Sequence, residues 1–307
     1  MKLRLRRLSR FLLPSLIAVT AALANPPADG TVIPLWPEGV PGQLGILADE
    51  QWEDGRVRNV QEPTLTYCTP AVDRPTRTAV IVCPGGGYTV LSFEREGWQY
   101  ARWLSQQGIT TFILKNRLKE YGHPHPLRDV LRAIRHVRDN AAAYGIDPDR
   151  IGVMGSSAGG HLAASASTLF DHPDGKTGAA IDAVSARPDF AILMYPVISM
   201  ADGVTHEGSR RNITHEDPAL RPLLSLEDQV TAATPPTLII HTQDDQSVPV
   251  ANALRYYTAL SEAGVPAELY IFQHGPHGMG LKPGLGTASS WPDRAREWLQ
   301  DRGLTLR

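Results

Sequence analysis

A serine flanked by glycines stands where a strand-like run meets a helix-like run. Residues 151–154 are mostly apolar, the letters GSSAG occupy positions 155–159, and small helix-forming residues follow. The segment fits the pattern G-x-S-x-G, in which a tight strand-to-helix turn projects the central hydroxyl while the glycines avoid side-chain collisions. The alternative interpretation is a Gly/Ser turn without a chemical role. Ser157 is therefore a candidate nucleophile, with the positive end of a helix available to a developing oxyanion.

A serine hydroxyl becomes nucleophilic when a histidine, itself oriented by a carboxylate, takes its proton. Two adjacent acids, Asp244 and Asp245, directly follow one predicted strand, and two histidines, His274 and His277, follow the next. Both strands come after Ser157, which gives the chain order Ser, Asp, His. Because the carboxyl ends of parallel strands meet at one edge of a sheet, we expect these side chains to lie close together.

A glycine-rich loop follows another predicted strand. Residues 78–83 form a nearly continuous β-branched run, which is typical of a strand buried on both faces, and the letters PGGGY occupy positions 84–88. Three consecutive glycines let backbone N–H groups face outward at the end of a central strand. A flexible loop is the alternative, but the position favours close approach to a ligand.

Four segments together resemble the α/β-hydrolase superfamily of esterases. Within it, they are similar to the secreted acetyl-xylan-esterase-like, lipase-like proteins that carry PGGGY in place of HGGG. The segments are CPGGGY at 83–88, GSSAGGH at 155–161, HTQDDQSVP at 241–249 and HG at 277–278. The resemblance extends over most of the chain from about residue 64 onward.

The resemblance implies a role for each candidate residue. Ser157 corresponds to the nucleophile, and His277 to the general base, favoured over His274 because it precedes a glycine. Asp245 corresponds to the acid because the family's aspartate stands three residues before a valine; Asp244 remains the alternative. The implied reaction is acyl transfer through a covalent acyl-enzyme.

The oxyanion hole is also implied by the resemblance. Its donors would be the N–H groups of Gly86, Gly87 and Ala158. Pro84 stands where many lipases have histidine, which leaves open which glycine of 85–87 points inward. No metal or organic cofactor is implied, and the expected partner is a small-molecule or polysaccharide ester substrate.

Strands alternate with helical segments throughout the chain. This alternation predicts an α/β fold, namely an α/β-hydrolase domain with a mostly parallel, doubly wound sheet and helices on both faces. We assign residues 25–307 to this single domain. The polar stretch at 197–234 is predicted to be a small lid or rim insertion, and residues 64–68 alternate as an edge strand would.

Several further residues admit a chemical or a structural interpretation. His123 and His125 flank a proline without a third ligand nearby, so we expect solvated loop histidines rather than a metal site. His161 is expected to be packed or capping. Asp129 belongs to a helical stripe interpreted as a solvated or structural face. The glycosylation motif at Asn212 is short and weakly specific.

The first 24 residues predict a secretory signal. A basic region precedes a short apolar core that ends in the letters ALA at 22–24, and the apolar run is too short for a comfortable membrane span. A retained N-terminal anchor is the alternative. Five of the 30 lysines and arginines lie in this leader; the remaining 25, against 32 acids, give a formal charge of −7. This charge argues against nucleic acid as a partner.

These features predict a secreted or periplasmic enzyme without a membrane span after removal of the signal. The expected function is hydrolysis of short-chain, acetyl esters, carried on plant polysaccharide such as xylan. The alternatives are a general short-chain carboxylesterase and a non-catalytic binding protein of the same fold. The two cysteines, Cys68 and Cys83, are too few for a disulfide scaffold, and Cys83 is expected to be a buried thiol.

Overall fold

An eight-stranded sheet runs through the computed structural model, which describes residues 26–45 and 48–306. The predicted signal sequence lies outside the described residues. The sheet order is β1-β4-β6-β5-β7-β8-β9-β10; β4 pairs antiparallel with both β1 and β6, and all other neighbouring strands pair in parallel. The strands, with the separate hairpin β2–β3, are β1 Val32–Pro34, β2 Gln51–Glu53, β3 Arg56–Arg58, β4 Thr64–Cys68, β5 Ala79–Cys83, β6 Thr110–Lys115, β7 Ile151–Ser156, β8 Phe190–Met194, β9 Thr237–Thr242 and β10 Ala267–Phe272.

The winding direction of the sheet reverses between β5 and β7. The chain passes from β5 to β6 on one side and then returns across β5 to build β7, β8, β9 and β10 on the other. The loops that leave β5 and β7 therefore diverge and open a crevice at their carboxyl ends, where doubly wound sheets bind ligands. β5 leads into the PGGGY loop, and β7 leads into Ser157.

Helices cover both faces of the sheet. One apolar cluster packs α2, α3 and α6 against one face, and a second packs α1 and α7 against the other, as the predicted α/β-hydrolase architecture requires. All five residues of β5 and all six of β7 are buried, in agreement with central strands covered on both faces. The helices are α1 Gln99–Gln106, α2 His125–Asp139, α3 Ala158–Thr168, α4 Glu207–Thr214, α5 Arg221–Leu224, α6 Ala251–Glu262 and α7 Trp291–Asp301.

The N-terminal lead-in takes part in the sheet and the core. β1 pairs with β4, so the prediction that residues 64–68 form an edge strand was wrong: β1 occupies the edge. Leu35 is fully buried and the Trp36 indole donates to Asp129 Oδ1 at 3.0 Å. Proline-rich composition at 26–41 thus indicated breaks in regular structure but did not indicate how deeply this segment packs.

A buried ion pair joins the lead-in to the sheet. Arg117 and Asp129 are both inaccessible to solvent, and the guanidinium Nη2 lies 2.7 Å from Asp129 Oδ1. Asp129 Oδ2 also accepts from the Arg117 N–H at 2.9 Å, and Arg117 Nη1 donates to the Pro41 carbonyl at 2.6 Å. Of the two interpretations of the Asp129 stripe, the structural one holds. Removing one partner would leave a buried charge uncompensated.

Residues 197–234 connect β8 to β9 and contain α4 and α5. The first residues of this insertion are buried in the core, while α4 reaches the carboxyl edge of the sheet. Cys68 and Cys83 are buried free thiols. Within the described ranges, no helix combines the length and apolar character needed to cross a membrane.

Candidate active site

Ser157 lies on a strained turn between β7 and α3. Its backbone has φ 54° and ψ −120°, outside the regions that L-residues favour, and only 6% of the residue is exposed. A Cβ at Gly155 would overlap the Gly159 carbonyl, and a Cβ at Gly159 would overlap the Cys83 carbonyl. The two glycines of the motif are therefore required by close backbone approach. The Ser157 N–H donates to the Met194 carbonyl at 3.0 Å, which ties the turn to β8.

His277 connects the serine to a carboxylate. Its Nε2 lies 2.9 Å from Ser157 Oγ, and its Nδ1 lies 2.7 Å from Asp245 Oδ2. The three residues come from the loops after β7, β9 and β10, and 120 positions separate the serine from the histidine. With Nδ1–H donating to Asp245, the imidazole presents an unprotonated Nε2 to the serine hydroxyl. This geometry suits proton abstraction from Ser157.

The Asp245 carboxylate is buried and fully engaged. Burial alone would raise its pKa, but hydrogen bonds from His241, His277 and the Val248 N–H hold the pKa of Asp245 well below its usual range. Oδ1 accepts from the Ser247 and Val248 N–H groups at 2.8 and 2.9 Å. The carboxylate therefore stays charged through the neutral pH range, as the orientation of His277 requires.

His241 lies next to this aspartate and was assigned no role from the sequence. Its Nε2 lies 3.0 Å from the Val248 carbonyl and 3.5 Å from Asp245 Oδ2, so it donates chiefly to the carbonyl. The ring is fully buried. His241 thereby fixes the loop that carries Asp245. Its place near the end of β9, three residues before Asp244, is the signal that was available.

Asp244 has a different role from Asp245. Its Oδ2 lies 3.0 Å from His274 Nδ1, and its Oδ1 accepts from the Gly275 N–H at 2.9 Å. Both side chains are largely exposed to solvent. The structure thus places Asp245 and His277 against Ser157, and pairs Asp244 with His274 on the surface of the same loops.

Backbone donors face the serine from the PGGGY loop. The Gly85 N–H donates to Glu96 Oε2 at 2.8 Å and is therefore unavailable to substrate. Among the described residues, no group accepts a hydrogen bond from the N–H of Gly86 or Gly87. Ala158 is the first residue of α3, so its N–H has no acceptor within the helix. Gly86, Gly87 and Ala158 remain the candidate oxyanion donors.

These groups open into a cleft of about 550 Å³. Ser157 and His277 lie in its wall together with Gly86 and Gly87, and α4 contributes residues from the insertion. The helix α4 of the insertion at 197–234 thus borders this cleft. The site is thus an accessible serine hydroxyl with a base on one side and backbone donors on another.

Comparison with known families identifies the chain. The sequence model of the family described as BD-FAE matches residues 66–260. This match covers more than half of the chain and includes Ser157 and Asp245. The chain belongs to the BD-FAE family.

Relatives of this BD-FAE protein include enzymes of ester and xylan chemistry. It is 38% identical over 241 residues to an acetylxylan esterase of Xylanibacter ruminicola. The aligned region covers 76% of this chain and 46% of the relative. It is 36% identical over 213 residues to endo-1,4-beta-xylanase B of Butyrivibrio fibrisolvens, which covers 67% and 33%. The chain thus spans less than half of the length of these curated relatives.

Solved structures resemble the BD-FAE chain over most of its length. An acetyl ester-xyloside bifunctional hydrolase from Caldicellulosiruptor lactoaceticus is 39% identical with a TM-score of 0.78, covering 93% of this chain and 100% of that one. A butyrate-bound esterase, Est2 of Thermogutta terrifontis, is 26% identical with a TM-score of 0.68, covering 80% and 91%. These comparisons confirm the predicted α/β-hydrolase fold.

A buried glutamate of this BD-FAE member, Glu96, contacts the PGGGY loop and was not identified from the sequence. Glu96 is 4% exposed; besides accepting from Gly85, it accepts from the Tyr195 hydroxyl at 2.9 Å. Burial raises the pKa of Glu96, and the hydrogen bonds from Tyr195 and Gly85 oppose this. The Tyr195 ring packs edge-on against His277 with 5.0 Å between centroids. Glu96 thus connects the glycine loop to the ring that supports the base.

Asn212 on α4 also forms a hydrogen bond with the PGGGY loop. Its Nδ2 donates to the Gly87 carbonyl and to Thr89 Oγ1, each at 2.7 Å. The sequence signal at this position was a glycosylation motif, whereas the structure gives the side-chain nitrogen two intramolecular acceptors. The insertion at 197–234 therefore contacts the PGGGY loop directly.

Two further histidines of the sequence analysis, His161 and His123, have structural partners. His161 is fully buried between the Tyr88 hydroxyl and the Leu224 carbonyl, and burial lowers the pKa of His161 to about 4. The His123 ring is also buried and lies 2.8 Å from Asp174 Oδ2, so its interpretation as a solvated loop residue was wrong. In residues 26–45 and 48–306, no group of three or more potential ligands is arranged to hold a metal ion.

Replacement of the two adjacent acids distinguishes their roles. Asp245→Asn is expected to lower kcat for an activated acetyl ester by roughly 10³- to 10⁴-fold, because the neutral amide no longer enforces the Nδ1–H tautomer of His277. Asp244→Asn, which retains an acceptor for Gly275, is expected to stay within about threefold of the wild type. Steady-state kinetics measures both; an equal loss in the two variants contradicts the assignment.

Glu96 is expected to act as a positioning residue. Glu96→Ala removes the acceptor of the Gly85 N–H and should lower kcat roughly ten- to a hundred-fold with little change in KM, because the oxyanion donors are displaced. Glu96→Gln can still accept from Gly85 and donate to Tyr195, so most of kcat should return. Kinetics on protein shown to be folded by circular dichroism tests this. An unchanged kcat in the alanine variant contradicts it.

Proposed function

We propose that this BD-FAE protein is a serine carboxylic ester hydrolase that removes short acyl groups, chiefly acetyl, from plant polysaccharide such as xylan. One observation carries the catalytic part of the proposal: Ser157 Oγ, His277 and Asp245 form a continuous hydrogen-bonded line at 2.9 and 2.7 Å beside free backbone donors. The esterases among the relatives and solved structures support the reaction class.

The geometry supports an acyl-enzyme mechanism. His277 Nε2 takes the hydroxyl proton as Ser157 Oγ bonds to the ester carbonyl carbon, and the carbonyl oxygen becomes an oxyanion. The N–H groups of Gly86, Gly87 and Ala158 would bind that oxyanion. Collapse of the intermediate breaks the bond to the alcohol oxygen, which receives the proton from His277. A water molecule, deprotonated by the same nitrogen, then bonds to the acyl carbon. The bond to Ser157 Oγ breaks, Oγ regains a proton from His277, and the acid leaves.

The chemistry of the relatives supports the acetyl and xylan parts of the proposal. One relative is named an acetylxylan esterase, another a xylanase, and the solved structure from Caldicellulosiruptor lactoaceticus an acetyl ester-xyloside hydrolase. The cleft of about 550 Å³ is lined by more polar than apolar groups. A polar cleft favours a carbohydrate alcohol over a long acyl chain.

A general short-chain carboxylesterase is the second candidate. Structures of Est2 with butyrate and with propionate bound are similar to this chain at 26% identity, and a carboxylesterase of Lactobacillus plantarum, Cest-2923, is similar at 28%. At least one similar protein therefore binds carboxylates with chains longer than acetate. The acyl and alcohol preferences decide between the two candidates.

Export of the enzyme is part of the proposal. The leader at 1–24 has the charge and hydropathy pattern of a secretory signal, and a polymeric substrate requires an enzyme outside the cytoplasm. Expression of the full chain in a bacterium, followed by N-terminal sequencing of the protein from the periplasm and medium, tests this. Mature protein that begins at Asn25 is expected; a full-length protein retained with the cells contradicts it.

Loss of the serine hydroxyl tests whether the protein is an enzyme of this class. Ser157→Ala is expected to lower kcat for p-nitrophenyl acetate by roughly 10⁴-fold or more, because no nucleophile remains. Ser165→Ala on the same helix, whose hydroxyl bonds only to the His161 carbonyl, is the matched control and should retain most of kcat. Equal rates in the wild type and Ser157→Ala would leave only a non-catalytic binding protein.

Substrate comparison tests the acetyl-xylan assignment. The wild type is expected to release acetate from acetylated xylan and to cleave p-nitrophenyl acetate faster than the butyrate and hexanoate esters, because the cleft offers polar groups to a sugar alcohol. Acetate released from xylan and kcat/KM for the three esters are the measurements. Efficient butyrate cleavage without acetate release from xylan assigns the general carboxylesterase function.

A further inference from the structure

Three cationic side chains surround the cleft that contains Ser157. Arg56 lies on β3, Lys119 lies in the loop after β6, and Arg211 lies on α4 of the insertion. All three are exposed residues that line the cleft. They come from three separate parts of the chain, so their meeting is a property of the fold and not of one basic segment.

Hydrogen bonds connect each cationic residue, or its neighbour in sequence, to the PGGGY loop at 84–88 or to Leu91 three residues after it. Val57, next to Arg56, exchanges backbone hydrogen bonds with Leu91 at 3.0 and 2.7 Å. The Lys119 N–H donates to the Tyr88 carbonyl at 2.8 Å. Asn212, next to Arg211, donates to the Gly87 carbonyl. The backbone positions of the three residues are thus fixed relative to the candidate oxyanion hole.

Acids lie near these cations, such as Glu53 opposite Arg56 in the β2–β3 hairpin, but none among the described residues is within ion-pair distance. None of the three cations forms an ion pair with a residue in the described part of the chain. Glu94 pairs with Arg102, and Glu207 pairs with Arg210. The one acid that lines the cleft, Glu96, is buried and bound to Gly85 and Tyr195. The cleft is therefore electropositive at its mouth, although the chain after the leader has a formal charge of −7.

A neutral donor completes the lining beside these cations. His206 Nδ1 accepts from the Ser209 N–H at 3.1 Å, so the ring proton of the neutral imidazole lies on Nε2. Burial lowers the pKa of His206, followed by repulsion from His277, which favours this neutral form. His206 lies beside Gly87, with its Cε1 3.7 Å from the position that a Cβ at Gly87 would occupy, and it offers an N–H donor to an oxygen of the substrate.

We propose that the site selects esters whose alcohol part carries a carboxylate, as in an acetylated oligosaccharide bearing a uronic acid, with Arg56, Lys119 and Arg211 as the specificity-determining residues. This inference rests on the proposed esterase function and specifies its substrate class. Mutual repulsion among the three cations is relieved when an anion enters, and the same field steers anionic substrates toward the cleft. The carboxylate interacts with the cations while the ester reaches Ser157.

A matched pair of small substrates tests the charge preference. The 4-acetoxybenzoate anion and neutral 4-acetoxybenzamide place the same acetyl ester on similar alcohols. The kcat/KM of each ester is divided by its rate constant for hydrolysis by hydroxide, and the ratio of the two resulting values, anion over neutral, is the measurement. The wild type is expected to favour the anion, and the Arg56→Gln, Lys119→Gln, Arg211→Gln triple variant should lower this ratio by about tenfold, with single variants intermediate. Sodium chloride at about 0.5 M should lower the wild-type ratio in the same direction.

The control variant carries Arg74→Gln and Lys282→Gln, two exposed cations that do not line the cleft. Its ratio should equal that of the wild type. Acetylated xylo-oligosaccharides, separated by anion exchange into neutral and uronic-acid-bearing pools, should show faster acetate release from the acidic pool by the wild type only. Equal ratios in the wild type and the triple variant overturn the inference while the esterase function stands. Failure of the wild type on every ester removes the proposed function, and this inference with it.

Discussion

The close approach of two backbones is the constraint on which the site depends. Gly159, in the first turn of α3, lies so near the carbonyls of Cys83 and Pro84 that no side chain fits between them. This contact sets the distance between the turn that carries Ser157 and the start of the PGGGY loop. The serine backbone two residues earlier is held at φ 54°. The strain there is maintained by packing on every side, since β5, β7 and α3 are all buried.

Around this contact, buried or half-buried polar side chains form hydrogen bonds with the backbone of each loop. Glu96 holds the first glycine of the PGGGY loop, Asn212 holds the third, and His241 holds the turn that carries Asp245. None of these three side chains needs to touch a reacting atom to matter. Their shared effect is to keep the donors and the base in a fixed arrangement before substrate arrives, which reduces reorganisation during the reaction.

Sequence reasoning located the fold and the residues whose motifs are local. The GSSAG turn, the acid after β9 and the histidine after β10 are each recognisable because strand, loop and residue type occur together within a few positions. Residues that work through contacts distant in sequence were not recognisable. Glu96 lies 99 positions from Tyr195, and Trp36 lies 93 from Asp129, so no periodic pattern links them. The edge strand β1 was missed because three residues beside prolines carry no clear alternation.

The two hydrogen bonds that the Asn212 side chain donates to Gly87 and Thr89 have a consequence for how the protein should be made. Its side-chain nitrogen belongs to the triplet Asn212-Ile213-Thr214, which oligosaccharyltransferases of eukaryotic secretory pathways recognise. A sugar attached to that nitrogen during synthesis in yeast or insect cells would take away a donor from Gly87 or Thr89 and crowd the mouth of the cleft. Production in a bacterial host avoids this modification.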